Sequence, residues 1–141
     1  MDLATHLRMA LEAESDLAGI PVLIVQDEQA SARIIAATLE THGCETRIAR
    51  TAQEAVELLA PFSPRAIVLD LVLPQLSGLV LAQQLTRNPA TRDIPIIATS
   101  LFSAQDAAGI ARDAGCVEYV RKPIDPSSLA LLLRDYLERS K

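Results

Sequence analysis

Short aliphatic runs recur at nearly even intervals along this chain, and the segments between them carry helical spacing. Val22-Leu23-Ile24-Val25, Ala66-Ile67-Val68-Leu69 and Ile94-Pro95-Ile96-Ile97-Ala98 are apolar at every position and rich in β-branched residues. Such runs read as strands buried on both faces, as in a parallel sheet covered by helices. Glu45-Thr46-Arg47-Ile48-Ala49 and Val117-Glu118-Tyr119-Val120 are half polar and suit the two edges.

The intervening helices have readable ends. Ser31, Ile34, Ile35, Thr38 and Leu39 share one face of a first helix that stops at Gly43. Thr51 and Glu54 have capping-box spacing and open a second helix with Ala52, Ala55, Val56 and Leu59 inward, ended by Pro61. Leu81 and Leu85 mark a third helix that closes before Asn88-Pro89. Ser103 and Asp106 cap a fourth, which stops at Gly115. Asp125-Pro126 opens a fifth, with Leu129, Leu132, Leu133, Tyr136 and Leu137 on one stripe. The expected fold is α/β: a doubly wound (βα)5 three-layer sandwich with a parallel five-stranded sheet in the order 2-1-3-4-5, flavodoxin-like. Residues 1–20 lie outside this unit, which spans 21–141. Their Leu3, Leu7, Ala10 and Leu11 form an amphipathic stripe, expected as an N-terminal helix closed by Gly19 and Pro21.

Composition narrows the function classes. With 50% hydrophobic residues the 141-residue chain can build one full core. A net charge of −5 and 3% aromatics disfavour direct nucleic-acid binding. The two cysteines have neither disulfide-framework nor zinc spacing and are expected to fill core space. No apolar run approaches a bilayer span, and Asp2, Glu12 and Glu14 argue against a signal peptide, so a cytoplasmic protein without membrane contact is expected.

In open α/β sheets, ligands bind outside the carboxyl ends of the strands. Gln26-Asp27-Glu28 follows the first strand, Asp70 ends the third, Thr99-Ser100 ends the fourth and Lys122-Pro123 follows the fifth. Two carboxylates brought together repel and need cations. Carboxylates with open positions for water suit Mg²⁺, and the remaining hydroxyl and ammonium are donors that call for an anionic guest, most economically a phosphoryl group.

These segments resemble the receiver domain of response regulators in two-component (His-Asp phosphorelay) systems. The matching stretches are 22–28, 67–78, 94–100 and 114–123, and the likeness covers residues 21–140. It implies that Asp70 is the phosphoacceptor, taking a phosphoryl group from a sensor histidine kinase or a histidine phosphotransferase in a Mg²⁺-dependent reaction. It implies Asp27, Asp70 and the Val72 backbone carbonyl as metal ligands, Gln26 acting through a water, Ser100 and Lys122 as phosphoryl contacts, and a cis bond at Pro123. Ser100 and Tyr119 would form the switch, with Tyr119 packing inward on activation. Such a domain catalyses only its own phosphorylation and dephosphorylation.

The sequence also departs from the family pattern. Gln26 stands where the family has the first of two acids, so weaker Mg²⁺ binding with phosphoacceptance retained is expected. Val72 and Phe102 occupy positions that tune dephosphorylation, and neither can orient water, so a long-lived phosphorylated state is expected. Ser77-Gly78 replaces Asp-Gly and is expected as a turn in which Gly78 takes positive φ. With no output segment expected after residue 141, action by contact with a downstream protein target or by phosphate relay is expected, with phosphorylation-linked homodimerisation through the fourth helix, fourth and fifth strands and fifth helix. The alternative is a degenerate receiver that binds proteins without phosphorylation. A hydrolase on this architecture would want Asp-x-Asp where Asp70-Leu71-Val72 stands. A flavin carrier would want a hydroxyl- and glycine-rich loop where Gln26-Asp27-Glu28 stands.

Overall fold

The computed structural model describes residues 2–7 and 17–139. Five parallel strands alternate with five helices: β1 (Pro21–Val25), α1 (Gln29–Thr41), β2 (Glu45–Ala49), α2 (Ala52–Phe62), β3 (Ala66–Asp70), α3 (Gly78–Arg87), β4 (Ile96–Ser100), α4 (Ala104–Asp113), β5 (Glu118–Arg121) and α5 (Pro126–Arg139). The sheet order is β2-β1-β3-β4-β5, as the hydrophobic pattern predicts. The central strands β3 and β4 are buried at every position, whereas the edges β2 and β5 are not.

Alternation along the strands divides the interior into two cores. Leu23, Val25, Ile67, Leu69, Ile96 and Ala98 pack with Ala52 and Ala55 of α2, Leu81 and Leu85 of α3 and Ala111 of α4. Val22, Ile24, Val68 and Ile97 point the other way, onto Ile35 and Leu39 of α1 and Leu129, Leu133 and Leu137 of α5. Each fully buried Leu, Ile or Val stabilises the fold by about 1.5–3 kcal/mol relative to exposure. The register aligns Val25 with both Ala49 and Leu69, Asp70 with Thr99, and Ser100 with Arg121. Every strand therefore delivers its carboxyl end to the same side of the sheet.

Several local expectations are corrected. β4 begins at Ile96 rather than Ile94; the Ile94 N–H closes a turn on the Thr91 carbonyl, and Pro95 has no N–H to give the ladder. The inward face of α1 is Ala32, Ile35, Ala36 and Leu39, and Ile34 points to solvent. Val56 likewise faces outward, because Ala52 and Ala55 already bring α2 close to the sheet. Pro61 sits inside the last turn of α2, which ends at Phe62 and is closed by Ser63 in a left-handed conformation. The Thr51 cap holds as read, accepting from the Glu54 N–H, but the Glu54 carboxylate accepts from the Arg50 N–H. Residues 3–7 are helical, and Leu3 and Leu7 of the expected N-terminal stripe are exposed; Ala10 and Leu11 lie outside the described residues. Leu17 is buried in the α1–α5 core.

Gly78 is the most informative correction. It does not take positive φ; in this loop Gln75 does, with φ 69°. Gly78 is instead the first residue of α3, capped by Ser77, whose hydroxyl accepts from the Leu79 N–H. A Cβ there would overlap the Asp70 carbonyl oxygen and lie 2.8 Å from the Leu71 Cα. Glycine is required by close backbone approach, and this approach presses α3 against the end of β3.

Both cysteines are buried, as expected, and burial pushes each thiol up to about 11 from its ordinary 9.0. The fold thus favours the protonated thiols. Their contribution to stability is complete below the unfolded value near 9 and is lost as pH rises through the folded value near 11. Denaturation midpoints across that window should fall less steeply in a Cys44→Ala/Cys116→Ala double variant; an unchanged slope would contradict the assignment. In a second test, Gly78→Ala should lose about 1–3 kcal/mol in urea unfolding through overpacking. Gly109→Ala, in α4 with nothing within 4 Å of the added carbon, should instead gain up to about 1 kcal/mol. Equal stability of the two alanine variants would contradict the close-approach reading.

Candidate functional site

At the carboxyl edge of the sheet Asp27, Glu28, Asp70, Val72, Leu101, Phe102 and Lys122 line a cleft of about 480 Å³. These residues come from four loops far apart in sequence, and parallel pairing alone brings them level. Asp70 is its centre. It ends β3 with its side chain 8% exposed, and its Oδ2 lies 2.7 Å from Lys122 Nζ, itself 10% exposed. The other oxygen, Oδ1, accepts from the Val72 N–H at 2.9 Å. Both carboxylate oxygens are thus oriented by donors, which is how a charged group is held in so dry a place. Lys122 is itself positioned by its backbone, whose N–H donates to the Ser100 carbonyl at 2.7 Å, and the Lys122–Pro123 bond is cis.

Asp27 is far more open. Its carboxylate lies 4.0 Å from the Arg50 guanidinium, which also donates to the Asp27 carbonyl at 3.4 Å. Gln26, next to it, is fully buried. Its Nε2 donates to Thr99 Oγ1 at 3.1 Å, and its Oε1 has no partner. Gln26 and Ser100 therefore stand behind the cleft wall. The Ser100 hydroxyl is 2.5 Å from the Tyr119 hydroxyl and accepts from the Phe102 N–H at 3.2 Å. Tyr119 also donates to the Phe102 carbonyl. Since each hydroxyl has one proton, the consistent arrangement runs Ser100 O–H to Tyr119 Oη and Tyr119 O–H to Phe102. The Ser100 proton is thereby engaged away from Asp70.

Of the residues singled out from sequence, Asp27, Asp70, Val72 and Lys122 share the cleft, and Ser100 and Tyr119 are joined to each other beside it. Three further residues support the site, of which Arg50 is not among those singled out from sequence. Thr99, buried and opposite Asp70 in register, holds the Gln26 amide. Arg50 reaches Asp27 from the end of β2. Gly78 sets the loop behind Asp70. Thr99 could have been found from strand alternation, which sends it to the face opposite Ser100; Arg50 follows only once the β1–β2 register is known.

The donor set suits a small hard cation. The carboxylates of Asp27 and Asp70 on an open cleft offer oxygen and leave room for water, which Mg²⁺ retains. Among the described residues no group of three or more His, Cys, Asp or Glu is gathered for a metal ion. The buried, unpartnered Gln26 Oε1 is a neutral oxygen next to Asp27 in sequence.

Comparison with known proteins agrees with this geometry. The family described as response regulator receiver domain matches residues 22–134. The phosphate regulon transcriptional regulatory protein PhoB of Pseudomonas aeruginosa is 35% identical over 88% of this chain. The chain spans only 54% of that relative's length. The polar-differentiation response regulator DivK of Brucella ovis is 31% identical over 82% of this chain and 94% of its own. Among solved structures, the receiver domain of sensor histidine kinase PA1611 from Pseudomonas aeruginosa superposes with a TM-score of 0.78 at 26% identity. That match covers 86% of this chain and 99% of the other, which carries a magnesium ion coordinated in its active-site cleft. The chain belongs to the response regulator receiver domain family of two-component systems.

Proposed function

We propose that this receiver domain is an active phosphoacceptor, with Asp70 as the acceptor. The observation that carries the reading is the Asp70–Lys122 pair, 2.7 Å apart at the floor of an open cleft that Asp27 also lines. A carboxylate is a weak nucleophile, so the site must work by positioning and by neutralising charge. An Asp70 oxygen forms the new O–P bond in line with the breaking P–N bond of a phosphohistidine. The electron pair of that bond returns to the imidazole of the partner kinase or histidine phosphotransferase. Lys122 is placed to follow charge from the carboxylate onto the phosphoryl oxygens. Asp27, Asp70 and the Val72 carbonyl would hold Mg²⁺, which supplies further positive charge when bound, and Gln26 would contribute through a water.

Ser100 and Tyr119 read as the switch. For its proton to reach a phosphoryl oxygen, Ser100 must give up the bond to Tyr119, which leaves the tyrosine hydroxyl with the backbone carbonyls of Phe102 and Ser100. Phosphorylation would bias this two-state rearrangement and so alter the surface offered to a downstream protein target, with a homodimer through α4, β4, β5 and α5 as one form of output. A cytoplasmic location fits these partners; among the described residues no helix is long and apolar enough to cross a membrane.

Val72 and Phe102 wall the cleft with apolar side chains, 62% and 59% exposed. Neither can hold an attacking water, so the acyl phosphate should be long-lived. Incubation with phosphoramidate or acetyl phosphate and Mg²⁺ should add one phosphoryl group to the intact mass, and none to Asp70→Asn. Absence of any adduct on the wild-type chain would favour the phosphorylation-independent binding module. Phosphate release from Val72→Asn should be severalfold faster than from wild type; a slower release would contradict the apolar-wall account.

A further inference from the structure

The phosphoacceptor reading leaves the charge of Arg50, beside Asp27, without a use. Its backbone is fixed. The Arg50 N–H donates to Glu54 Oε2 at 2.6 Å in the turn between β2 and α2, and the neighbouring Ala49 carbonyl accepts from the Gln26 N–H at 3.0 Å. Residue 50 is thus locked level with residues 26 and 27, and its side chain has a short reach to Asp27. One guanidinium nitrogen contacts both the Asp27 carboxylate, at 4.0 Å, and its carbonyl, at 3.4 Å.

We propose that Arg50 is a tethered competitor of the divalent cation for Asp27, so that it sets the metal affinity of this receiver. The inference rests on the reading of Asp27 as a metal ligand. Charge around the cleft favours it. Lys122 already neutralises Asp70, and Gln26 contributes none, so Asp27 and the more peripheral Glu28 are the carboxylates left to draw in a cation. Arg50 meets the first of these with a permanent positive charge. A metal ion must displace it before it can use the full charge of Asp27. The pair is well exposed, 62% for Arg50 and 52% for Asp27, so solvent limits the coupling. The competition is therefore worth a severalfold change in affinity, not orders of magnitude.

Titration of Mg²⁺ alone into the full chain, followed by amide shifts of residues 26–28 and 70–72 and by calorimetry, tests this. Arg50→Ala should bind Mg²⁺ roughly two- to fivefold more tightly than wild type. The gain should shrink at high ionic strength, where the exposed pair is screened. Arg50→Lys, which keeps the charge, should stay nearer wild type. Equal or weaker binding by Arg50→Ala, with binding abolished in Asp27→Asn, would overturn the competition and leave the metal site standing. Wild-type binding that Asp27→Asn does not weaken, or no wild-type binding at all, would overturn the metal site and the competition with it.

Discussion

A carboxylate held 8% exposed at the end of a wholly apolar strand is the constraint around which this molecule is arranged. Left alone, Asp70 would be costly to keep charged. The fold answers with Lys122 on one oxygen and the Val72 N–H on the other. Lys122 directly follows β5, two strands away, so the pair exists only if β4 lies between β3 and β5 in the observed register. Gly78 adds to this by letting α3 close upon the Asp70 carbonyl, which fixes the loop that carries Val72. Charge compensation, strand order and a glycine without room for a Cβ are parts of one arrangement.

Much of the fold could be read from the chain because its strands differ in kind. Wholly apolar runs placed β1, β3 and β4 in the middle, and half-polar runs placed β2 and β5 at the edges. Site residues followed from parallel pairing, since strand ends that cannot be neighbours in sequence must become neighbours in space. What could not be read was how close elements approach. Ile34 and Val56 are as apolar as the residues beside them, yet alanines pack in their place because α1 and α2 lie near the sheet. Gly78 was taken for a turn glycine because close approach leaves no mark on local sequence. Arg50 became visible only through the β1–β2 register.

Two features lower the negative charge around Asp27. Gln26 removes a charge next to Asp27, and Arg50 places an opposing one against it. The other side of the cleft keeps Asp70 beside Lys122 and Ser100 beside Tyr119. On the proposed reading the acceptor is left intact while the charge that draws in a metal is reduced.

The most direct measurement is peptide-level mapping of the acyl phosphate, trapped by borohydride reduction after exposure to a small-molecule phosphoryl donor. The account predicts that the reduced residue is position 70 and no other. A trapped group on Asp27 or Glu28, or an unmodified Asp70 in a chain that carries phosphate elsewhere, would contradict it.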